Sequence, residues 1–528
     1  MKRKSITTIV TALVMLTLVT ACINDLDPKS LGANSVTSVD AYKTPEDFKI
    51  GLAKLYSSFV VAGQSGPGTD PDISNLDVGF GVYLRGYWNL QQLTTDEAVY
   101  SWAEDGGIRP LHWQTWTPTN SFIGALYSRM MLTISYCNEF IRASSASDDA
   151  EVKRFNAEAR FLRALAYYHA LDLFGNPPFV TDADKPGSFF PRQTNREELF
   201  AYVETELAAI ETELGDPKFE YGRADKGALW MLQAKLYLNA ETYIGQSKYT
   251  ECVTALNKLF NTNAYSLANN YRHNFVADNN TSPELIFTIN HDAAHTQTYG
   301  GMGFIIHGQI GGNMVASDFG VSSGWAQNRV TPEFVSLFPD PSGTPDSRAL
   351  FHTDGQTLEI EDVGTFTDGY AVRKFTNKTL AGGNAPSGGS NEFVDTDFPI
   401  FRLADAMLMY AEAVLRGGAG GTSAQALNYV NMIRERAYGN ASGNINAGQL
   451  TLQFILDERG RELYWECHRR TDLIRYGFLT SGGYLWSWKG NTQAGSATED
   501  YRNLFPIPAF DLAANPSLKQ NPGYSGGD

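Results

Sequence analysis

Residues 156–178 read NAEARFLRALAYYHALDLFGNPP, and this stretch decides the fold class. Its apolar side chains recur every three or four positions, which is the spacing that places them on one face of an α-helix. They are Ala157, Phe161, Leu165, Tyr168, Leu171 and Phe174. Gly175 and the pair Pro177–Pro178 follow, and such residues end helices because glycine adopts the turn after the last helical residue and proline cannot continue the helix. The stretch therefore predicts one amphipathic helix that stops at its glycine.

Outward from this stretch, the same spacing recurs along the chain. The apolar positions are Leu229, Leu232, Leu236 and Ala240; Leu403, Met407, Tyr410 and Val414; and Leu427, Val430, Ile433 and Ala437. Residues 452–476 predict a further helix, long and charged. Alanines such as Ala159, Ala164 and Ala234 let neighbouring helices approach closely. The pattern indicates a scaffold of TPR-like helix pairs, although no strict repeat of about 34 residues is present.

Stretches rich in Gly, Ser and Asn interrupt these helices. They cover residues 63–72, 300–324 and 381–391, and a short apolar segment at 284–289 predicts a strand. Irregular segments of this length on a rigid frame are common binding surfaces. The predicted fold class is thus mostly α, with long irregular loops and a few short strands.

The first residues predict secretion. Three cations at residues 2–4 precede an apolar stretch at 6–18 that is too short to span a bilayer comfortably. This order is typical of a signal peptide, which we place at residues 1–21. Small residues then lead to Cys22, an arrangement that resembles the lipobox of bacterial lipoproteins, in which the cysteine becomes the acylated first residue of the mature chain.

The residues after Cys22 predict the destination of the protein. Several acyl chains on one cysteine hold a protein durably to a membrane, whereas a single chain holds it only marginally. Residues 22–40 form a polar tether that continues with Ile23 rather than aspartate, so nothing marks the chain for retention at the inner membrane. Asp25 and Asp27 resemble the export signal of surface lipoproteins. We therefore expect a lipid-anchored protein of the outer membrane that is exposed at the cell surface.

Composition argues against several classes of partner and cofactor. The 528 residues carry a formal net charge of -16, which repels a phosphate backbone, so we expect no nucleic-acid partner. Besides Cys22, the widely spaced Cys137, Cys252 and Cys467 predict buried thiols rather than a disulfide framework or a metal site. No P-loop and no dinucleotide-binding glycine motif occurs, and we expect no cofactor and no bound metal.

Motifs of hydrolases occur only in unsuitable surroundings. None of the eight histidines belongs to an HExxH motif, and His291 and His295 lack a third ligand, so they predict a solvated loop pair. The letters of GxSxG occur around Ser322 and around Ser525. The first match lies in a glycine-rich loop without a preceding apolar strand, and the second lies where no helix can follow. Both predict loop serines rather than nucleophiles.

Glycosidase chemistry mainly requires two carboxylates across a cleft. Asp96–Glu97 is one candidate pair. Glu458, Glu462 and Glu466 form another set, since residues four apart share one helical face. Like charges at this spacing repel each other, so such a row needs cations, and those close in sequence are Arg434, Arg436, Arg461, Arg469 and Arg470. We interpret the row as a structural ion-pair network.

Segments along most of the mature chain resemble the SusD/RagB family. They are NAEARFLRALAYY at 156–168 with LFGNPP at 173–178, RLADAMLMYAEA at 402–413 with NMIRERA at 431–437, DERGREL at 457–463 with RRTDLIRYG at 469–477, FPIP at 505–508, and NPSLKQNPGY at 515–524. They occur in the family's order behind a lipobox. No single segment is specific to the family, but the whole set in this order is.

The resemblance implies a fold, an activity and partners. It implies a mostly α-helical fold with TPR-like pairs, binding of oligosaccharides without hydrolysis, and an outer-membrane partner, a TonB-dependent transporter of the SusC type that this protein would cap like a lid. It also implies an N-terminal helical region at 41–265 and a C-terminal region at 266–528 that carries ligand-binding loops and helical pairs.

A sugar site needs exposed flat side chains, because a sugar ring has an apolar face of C–H groups and an edge of hydroxyls. Aromatic residues in polar, glycine-containing stretches are the candidates, namely Trp102, Tyr299 and Trp325, with packing inside the loops as the alternative. Starch-binding members build an aromatic arc from loops that resemble these, helped by an arginine before the first tryptophan and a polar residue after it. Arg85 and Asp105 stand at those places, with a structural salt bridge as the alternative. The tryptophans assigned to the core are Trp88, Trp113, Trp116 and Trp230.

Two other functions stay open on the sequence alone. The RagB branch of the family suggests a peptide or another nutrient as ligand, and an acidic surface would favour cationic peptides. A helical glycoside hydrolase using two of the acids above is the enzymatic alternative.

Overall fold

The structure, a computed structural model, describes residues 41–525 except 103, 185, 186 and 188. The signal peptide, Cys22 and the tether predicted at 1–40 lie outside the described residues. The helices are α1 Pro45–Ser57, α2 Tyr83–Gln92, α3 Arg109–His112, α4 Ser121–Ser144, α5 Ala150–Leu173, α6 Arg196–Ile210, α7 Lys226–Leu238, α8 Ala240–Ile244, α9 Tyr249–Asn261, α10 Met302–Gly308, α11 Pro332–Val335, α12 Leu403–Leu415, α13 Ser423–Tyr438, α14 Leu452–Leu463, α15 Arg469–Arg475 and α16 Ala509–Ala514. The strands are β1 Val99–Tyr100, β2 Pro178–Phe179, β3 Arg192–Gln193, β4 Leu285–Ile289, β5 Asn328–Val330, β6 Phe351–His352, β7 Tyr370–Val372 and β8 Phe398–Arg402. Helices dominate and the strands are short, so the predicted fold class is confirmed.

Helix α5 is the helix that the quoted stretch predicts. Asp149 caps its N-terminus, because the carboxylate accepts hydrogen bonds from the amides of Glu151 and Val152. The helix ends at Leu173, and Gly175 follows with a φ of 72°, a left-handed conformation that glycine adopts without strain. The predicted apolar stripe is buried throughout. The stripe packs the helix against its neighbours.

The helices pack mainly as pairs of neighbours. Helix α4 packs on α5, α7 on α9, and α12 on α13. Ala159, Ala164 and Ala234 are fully buried, as expected of small side chains between close helices. The hydrophobic core contains residues from both sides of residue 265; for example, the ring of Phe161 on α5 lies edge-to-face against Phe287 on β4, 5.3 Å between centroids. The boundary between 265 and 266 stays a prediction.

The single long helix predicted for residues 452–476 is wrong. Two shorter helices, α14 and α15, are separated by residues 464–468. Trp465 and Cys467 each have a φ of 63°, which no helix accommodates. The amide of Trp465 donates to the Glu97 carboxylate over 3.0 Å, and Lys374 donates to the carbonyl of Tyr464. These tertiary hydrogen bonds replace helical ones, and the periodicity of the segment does not reveal them.

The glutamate row is a buried ion-pair network, as predicted, but Glu466 lies after the end of α14 rather than on the helical face that carries Glu458 and Glu462. Glu458, Glu462 and Glu466 are at most 1 % exposed. The guanidinium of Arg402 lies 2.6 Å from a carboxylate oxygen of Glu462 and 2.6 Å from one of Glu466. The other cations of the row are Arg348, Arg434, Arg436, Arg461 and Lys374. Burial raises the pKa of Glu462, but the surrounding guanidinium groups outweigh it and lower the pKa to about 2.

Two arginines that were predicted to neutralise this glutamate row bind other groups instead. Arg469 lies 2.7 Å from Asp96, and Arg470 donates to the carbonyls of Arg502 and Asn503. The reason is the break before α15, which turns both side chains away from the face of α14 that carries the glutamates.

Within the described residues, the strands form three small antiparallel sheets. One has the order β1-β5-β7-β6, and the other two pair β2 with β3 and β4 with β8. In the largest, Val99 pairs with Arg329 and Tyr100 with Asn328. The strand predicted at 284–289 is β4, observed at Leu285–Ile289. The β1–β5 pairing brings the loop after residue 100 next to the loop before residue 328.

The cysteines other than Cys22 are buried free thiols, as predicted. Burial raises the pKa of Cys137 to about 12, so this thiol stays protonated and inert. Across the described ranges, no helix combines the length and apolar character needed to cross a membrane.

Candidate functional site

The β1–β5 pairing places Trp102 and Trp325 at the same end of the sheet. The amide of Ser101 donates to the carbonyl of Gln327 over 2.9 Å, and the hydroxyl of Ser101 donates to the carbonyl of Ala326. Trp102 directly follows Ser101, and Trp325 directly precedes Ala326. Two aromatic residues more than 200 positions apart in the chain are thus neighbours in the fold.

Trp102 is the most exposed of the predicted site residues, with 41 % of its surface accessible. Its ring meets Tyr100 edge-on, with 6.5 Å between centroids. The Tyr100 hydroxyl donates to Asp105 over 2.7 Å. Trp102 therefore presents a face of its indole to solvent while its position is set by the strand before it.

Arg85 and Asp105 meet near Tyr100, the residue that Trp102 contacts. The guanidinium of Arg85, on α2, lies 3.8 Å from the Asp105 carboxylate and 4.3 Å from the centroid of Phe304 on α10. Arg85 is buried, whereas Asp105 is half-buried. Asp105 therefore keeps carboxylate surface in reach of a ligand, while Arg85 braces it from below.

Trp325 lies against a histidine. Its indole stacks on the imidazole of His307, with centroids 4.7 Å apart and planes 18° apart. The His307 ring nitrogens lie 2.7 Å from the carbonyl of Ser323 and 3.0 Å from that of Glu392. Burial lowers the pKa of His307, and its contacts with the two carbonyls oppose this. One face of Trp325 is covered and the side chain remains half-exposed.

Tyr299 is linked to Trp325 from another loop, through Glu392 and His307. Its hydroxyl donates to the carboxylate of Glu392 over 2.8 Å, and its ring lies 5.5 Å from that of Phe393. The hydrogen bond to Glu392 raises the pKa of Tyr299. Because Glu392 also contacts His307 through its carbonyl, Tyr299 and Trp325 belong to one connected group.

We call Trp102, Tyr299 and Trp325 the aromatic cluster. Helix α10 supports both of its halves, since Phe304 lies under Arg85 and His307 lies under Trp325. Glu392 is exposed beside Tyr299 and was not predicted from the sequence. It follows a Gly- and Ser-rich stretch without any motif, so only its contacts identify it. The cluster combines flat apolar rings with the accessible carboxylates of Asp105 and Glu392.

Three of the four tryptophans that were predicted to lie in the core are buried. Trp88 and Trp116 are at most 2 % exposed and Trp230 is 8 % exposed, whereas Trp113 is half-buried. The indole of Trp116 donates to Tyr524 over 2.6 Å, as expected of a buried tryptophan.

The acids considered for glycosidase chemistry are sealed in the core. Asp96 is bound by Arg469 and by the hydroxyl of Tyr484, 2.6 Å away, and Glu97 accepts from Trp465. Both are at most 1 % exposed, as are the glutamates of the α14 row. A substrate cannot reach either set without unfolding the surrounding helices, so neither can act on a glycosidic bond from these positions.

The remaining motif residues are structural or lie in loops. Ser322 is exposed in a loop after Gly320, which has a φ of 71°. His295 is exposed, but His291 is buried, so the prediction of a solvated pair is wrong for His291. Its ring nitrogens are occupied by backbone groups, which sequence spacing does not indicate. Within the part of the chain that the structure covers, no group of three or more metal-ligating side chains comes together.

Comparisons with known proteins agree on one family. The model described as "SusD family" matches residues 355–524. The starch-binding protein SusD of Bacteroides thetaiotaomicron is 32% identical over 96% of this chain and 96% of its own length. SusD-like protein P25 of Formosa agariphila is 27% identical over 72% of this chain and 74% of its own length.

Solved structures share the fold. The surface glycan-binding protein A from Bacteroides fluxus superposes with a TM-score of 0.71 at 21% identity, covering 92% of this chain and all of that one. A laminarin-binding SusD-like protein superposes with a TM-score of 0.69 at 23% identity, again over 92% of this chain.

Proposed function

This chain belongs to the SusD family, and on that premise we propose that it binds oligo- or polysaccharide glycans without transforming them. The observation that carries the proposal is the aromatic cluster, in a chain 32% identical to a starch-binding protein: Trp102 is exposed, its loop is bonded to the loop of Trp325, and Tyr299 is linked to Trp325 through Glu392 and His307. The cluster lies in the loops that resemble the aromatic arc of starch-binding members.

The chemistry of the cluster suits sugars. A sugar ring stacks its C–H face on an indole, and the carboxylates of Asp105 and Glu392 can accept hydrogen bonds from pairs of neighbouring hydroxyls. Two or three such stacked rings give an affinity in the micromolar to millimolar range, which suits capture followed by release. Non-catalytic binding is supported by the burial of both candidate acid sets.

Titration against a panel of ligands tests the proposal. Isothermal titration calorimetry and affinity electrophoresis with starch, laminarin and other polysaccharides are expected to show binding to at least one glycan class. A parallel assay for new reducing ends is expected to show no increase. Binding of cationic peptides with no response to any glycan would favour the peptide alternative, for which the net charge of -16 speaks. Turnover abolished by one Asp or Glu substitution would favour the enzyme.

We further propose that the protein is anchored through Cys22 in the outer membrane, faces the cell surface, and delivers its glycan to a SusC-like TonB-dependent transporter. The support is the lipobox together with membership of the family. Co-purification of a TonB-dependent transporter with the tagged full chain from membranes, strengthened by the glycan, is the expected result for the partner.

Replacing Cys22 with serine is expected to abolish incorporation of labelled palmitate and to move the protein from the membrane fraction to the soluble fraction. The reason is that the acyl chains provide the durable membrane attachment. Fractionation and palmitate labelling in the native host measure both effects. Cys137→Ser is the matched control, because that thiol is buried in the core and cannot carry the lipid. Equal labelling of the Cys22 variant and the wild type would refute the anchor.

A further inference from the structure

His291 contacts both ends of the loop that carries Tyr299, one through its backbone and the other through its side chain. The backbone of His291 continues strand β4 into the loop at 292–301. The imidazole of the same residue lies under the other end of the loop, where its Nε2 is 3.1 Å from the amide of Met302, the first residue of α10. The close fit is seen at Gly301, where an added Cβ would lie 2.3 Å from this Nε2. His291 therefore ties together both ends of the loop.

The hydrogen-bond partners define the state of this imidazole. Its Nδ1 lies 3.0 Å from the carbonyl of Ile289, which only accepts, so Nδ1 carries the proton. Nε2 is then free to accept from the amide of Met302. Burial lowers the pKa of His291 to about 4, so the ring is neutral around pH 7 and keeps this acceptor.

Asp397 holds His291 in place. One carboxylate oxygen accepts from the amide of His291 over 2.7 Å, and the other accepts from the hydroxyl of Tyr221 over 2.6 Å. Two residues earlier, Asp395 accepts from the amide of Ala293 over 2.8 Å. Asp397 is itself fixed, because Asn279 donates to its carbonyl over 2.9 Å. Both acids precede strand β8, which pairs with β4, so they connect the loop to the core.

We propose that Asp397 and His291 are positioning residues that hold the 292–301 loop and so place Tyr299 in the aromatic cluster. This inference rests on the proposed function, because its consequence is the affinity for glycan. Neither residue touches the ligand, since both are buried. They act through the loop, whose far side carries Tyr299 and its hydrogen bond to Glu392.

The arrangement makes affinity depend on pH. Burial raises the pKa of Asp397 to about 7, and the negative charges of Asp395 and Asp292 add to this increase. The hydrogen bonds from the Tyr221 hydroxyl and the His291 amide lower the pKa but do not cancel the increase. The groups that face Asp397 are therefore Tyr221, His291, Asp395 and Asp292. A pKa above the ordinary aspartate value means that the carboxyl in the held loop binds its proton more tightly than a carboxyl that reaches water, so deprotonation favours the loosened loop. The loop is thus held below pH 7 and loosened above it, and glycan affinity is expected to fall about fivefold between pH 5.5 and pH 8.5.

Substitution of Asp397 by asparagine tests the inference in two independent ways. Hydrogen–deuterium exchange of the full chain, measured by mass spectrometry without ligand, is expected to rise about tenfold in peptides covering 292–302 and to stay unchanged in α13. Calorimetry is expected to show glycan affinity about fivefold weaker than wild type at pH 5.5, because asparagine offers one acceptor oxygen to two donors, and no longer dependent on pH. In a Tyr299→Ala background, Asp397→Asn is expected to change affinity by less than about twofold, because the loop then has no ring to place.

Two further variants keep the test decisive. Tyr221→Phe removes a donor that lowers the pKa of Asp397, so the midpoint of the pH profile is expected to move upward; this variant also serves if Asp397→Asn does not fold. Asp225→Asn is the matched control: Asp225 is another buried acid, with its pKa raised by burial to about 6, but it caps α7 and its hydrogen bonds go to Lys218, Ala228 and Tyr265 rather than to the loop. Its pH profile of affinity is expected to match the wild type.

The outcomes separate the two proposals. If the wild type binds no glycan but exchange at 292–302 rises in Asp397→Asn, the proposed function is wrong and the positioning role stands. If the wild type binds glycan but Asp397→Asn alters neither exchange nor affinity, the positioning role is wrong. Equal losses with and without Tyr299 would also overturn it, since Asp397 would then act on affinity by another route.

Discussion

Trp102→Ala is expected to weaken glycan binding about 30-fold while leaving the stability of the fold unchanged. A sugar ring stacked on the indole removes roughly 80 Å² of apolar surface from water, counting both partners, which is worth about 2 kcal/mol. Because Trp102 is exposed and meets the protein mainly at the edge of Tyr100, its removal leaves no cavity. Calorimetric titration with the best-bound polysaccharide measures the affinity, and thermal unfolding measures the stability.

Phe190→Ala is the matched control for this prediction. Phe190 is 60 % exposed and lies outside the aromatic cluster, so its loss is expected to leave affinity unchanged. Trp325→Ala should also weaken binding, but it removes the stack on His307, so its effect on affinity comes with a loss of stability. Unchanged affinity in Trp102→Ala, with the control behaving in the same way, would mean that glycan binds elsewhere.

Arg402→Met is expected to destabilise the protein by about 3–5 kcal/mol, the largest effect on stability among these variants. Arg402 is 1 % exposed and contacts Glu284, Glu462 and Glu466. Its removal leaves these buried carboxylates short of positive charge, which costs far more than the lost attraction. Urea unfolding at pH 7 measures the change in free energy of unfolding.

The pH dependence and a surface pair sharpen this test. Glu462 has a lowered pKa, so its stabilising contribution is present above the ordinary glutamate range and is lost as pH falls toward about 2. In Arg402→Met the orphaned carboxylates can take up protons, so the deficit relative to wild type is expected to shrink below about pH 5. Arg192→Ala breaks the exposed pair with Glu198 and is expected to leave the free energy of unfolding nearly unchanged. A similar cost for both variants would contradict the view that the network is a buried, coupled one.

The burial of this network also bears on the choice between binding and catalysis. A cleft with two accessible carboxylates is the minimum that glycosidase chemistry needs. The acids that sequence spacing groups together are used to hold helices α12, α13 and α14 in register, and their charges are already matched by arginines. The accessible carboxylates near the cluster, Asp105 and Glu392, are instead placed beside aromatic rings, as hydrogen-bonding groups of a sugar site would be.

The sequence alone determined the helical fold, the stop after α5, the buried thiols and the family. These follow from local rules: the spacing of apolar residues selects a helix face, and glycine and proline end it regardless of what packs nearby. It also predicted the ionic role of the glutamate row, because like charges on one helix face require counter-ions wherever the helix lies. Trp102, Tyr299 and Trp325 were named as candidate sugar-binding residues because they lie in polar loops, and their role stays a prediction; Trp102 is exposed, whereas Tyr299 and Trp325 are half-buried.

Only the tertiary structure decided what brings these residues together. The two-residue pairing of β1 with β5 makes Trp102 and Trp325 neighbours, and strands this short leave no readable pattern in the sequence. The break at Trp465, the burial of His291 and the role of Glu392 all depend on partners more than 10 and up to 368 positions away. Such contacts are set by how the whole core packs, and no local spacing records them.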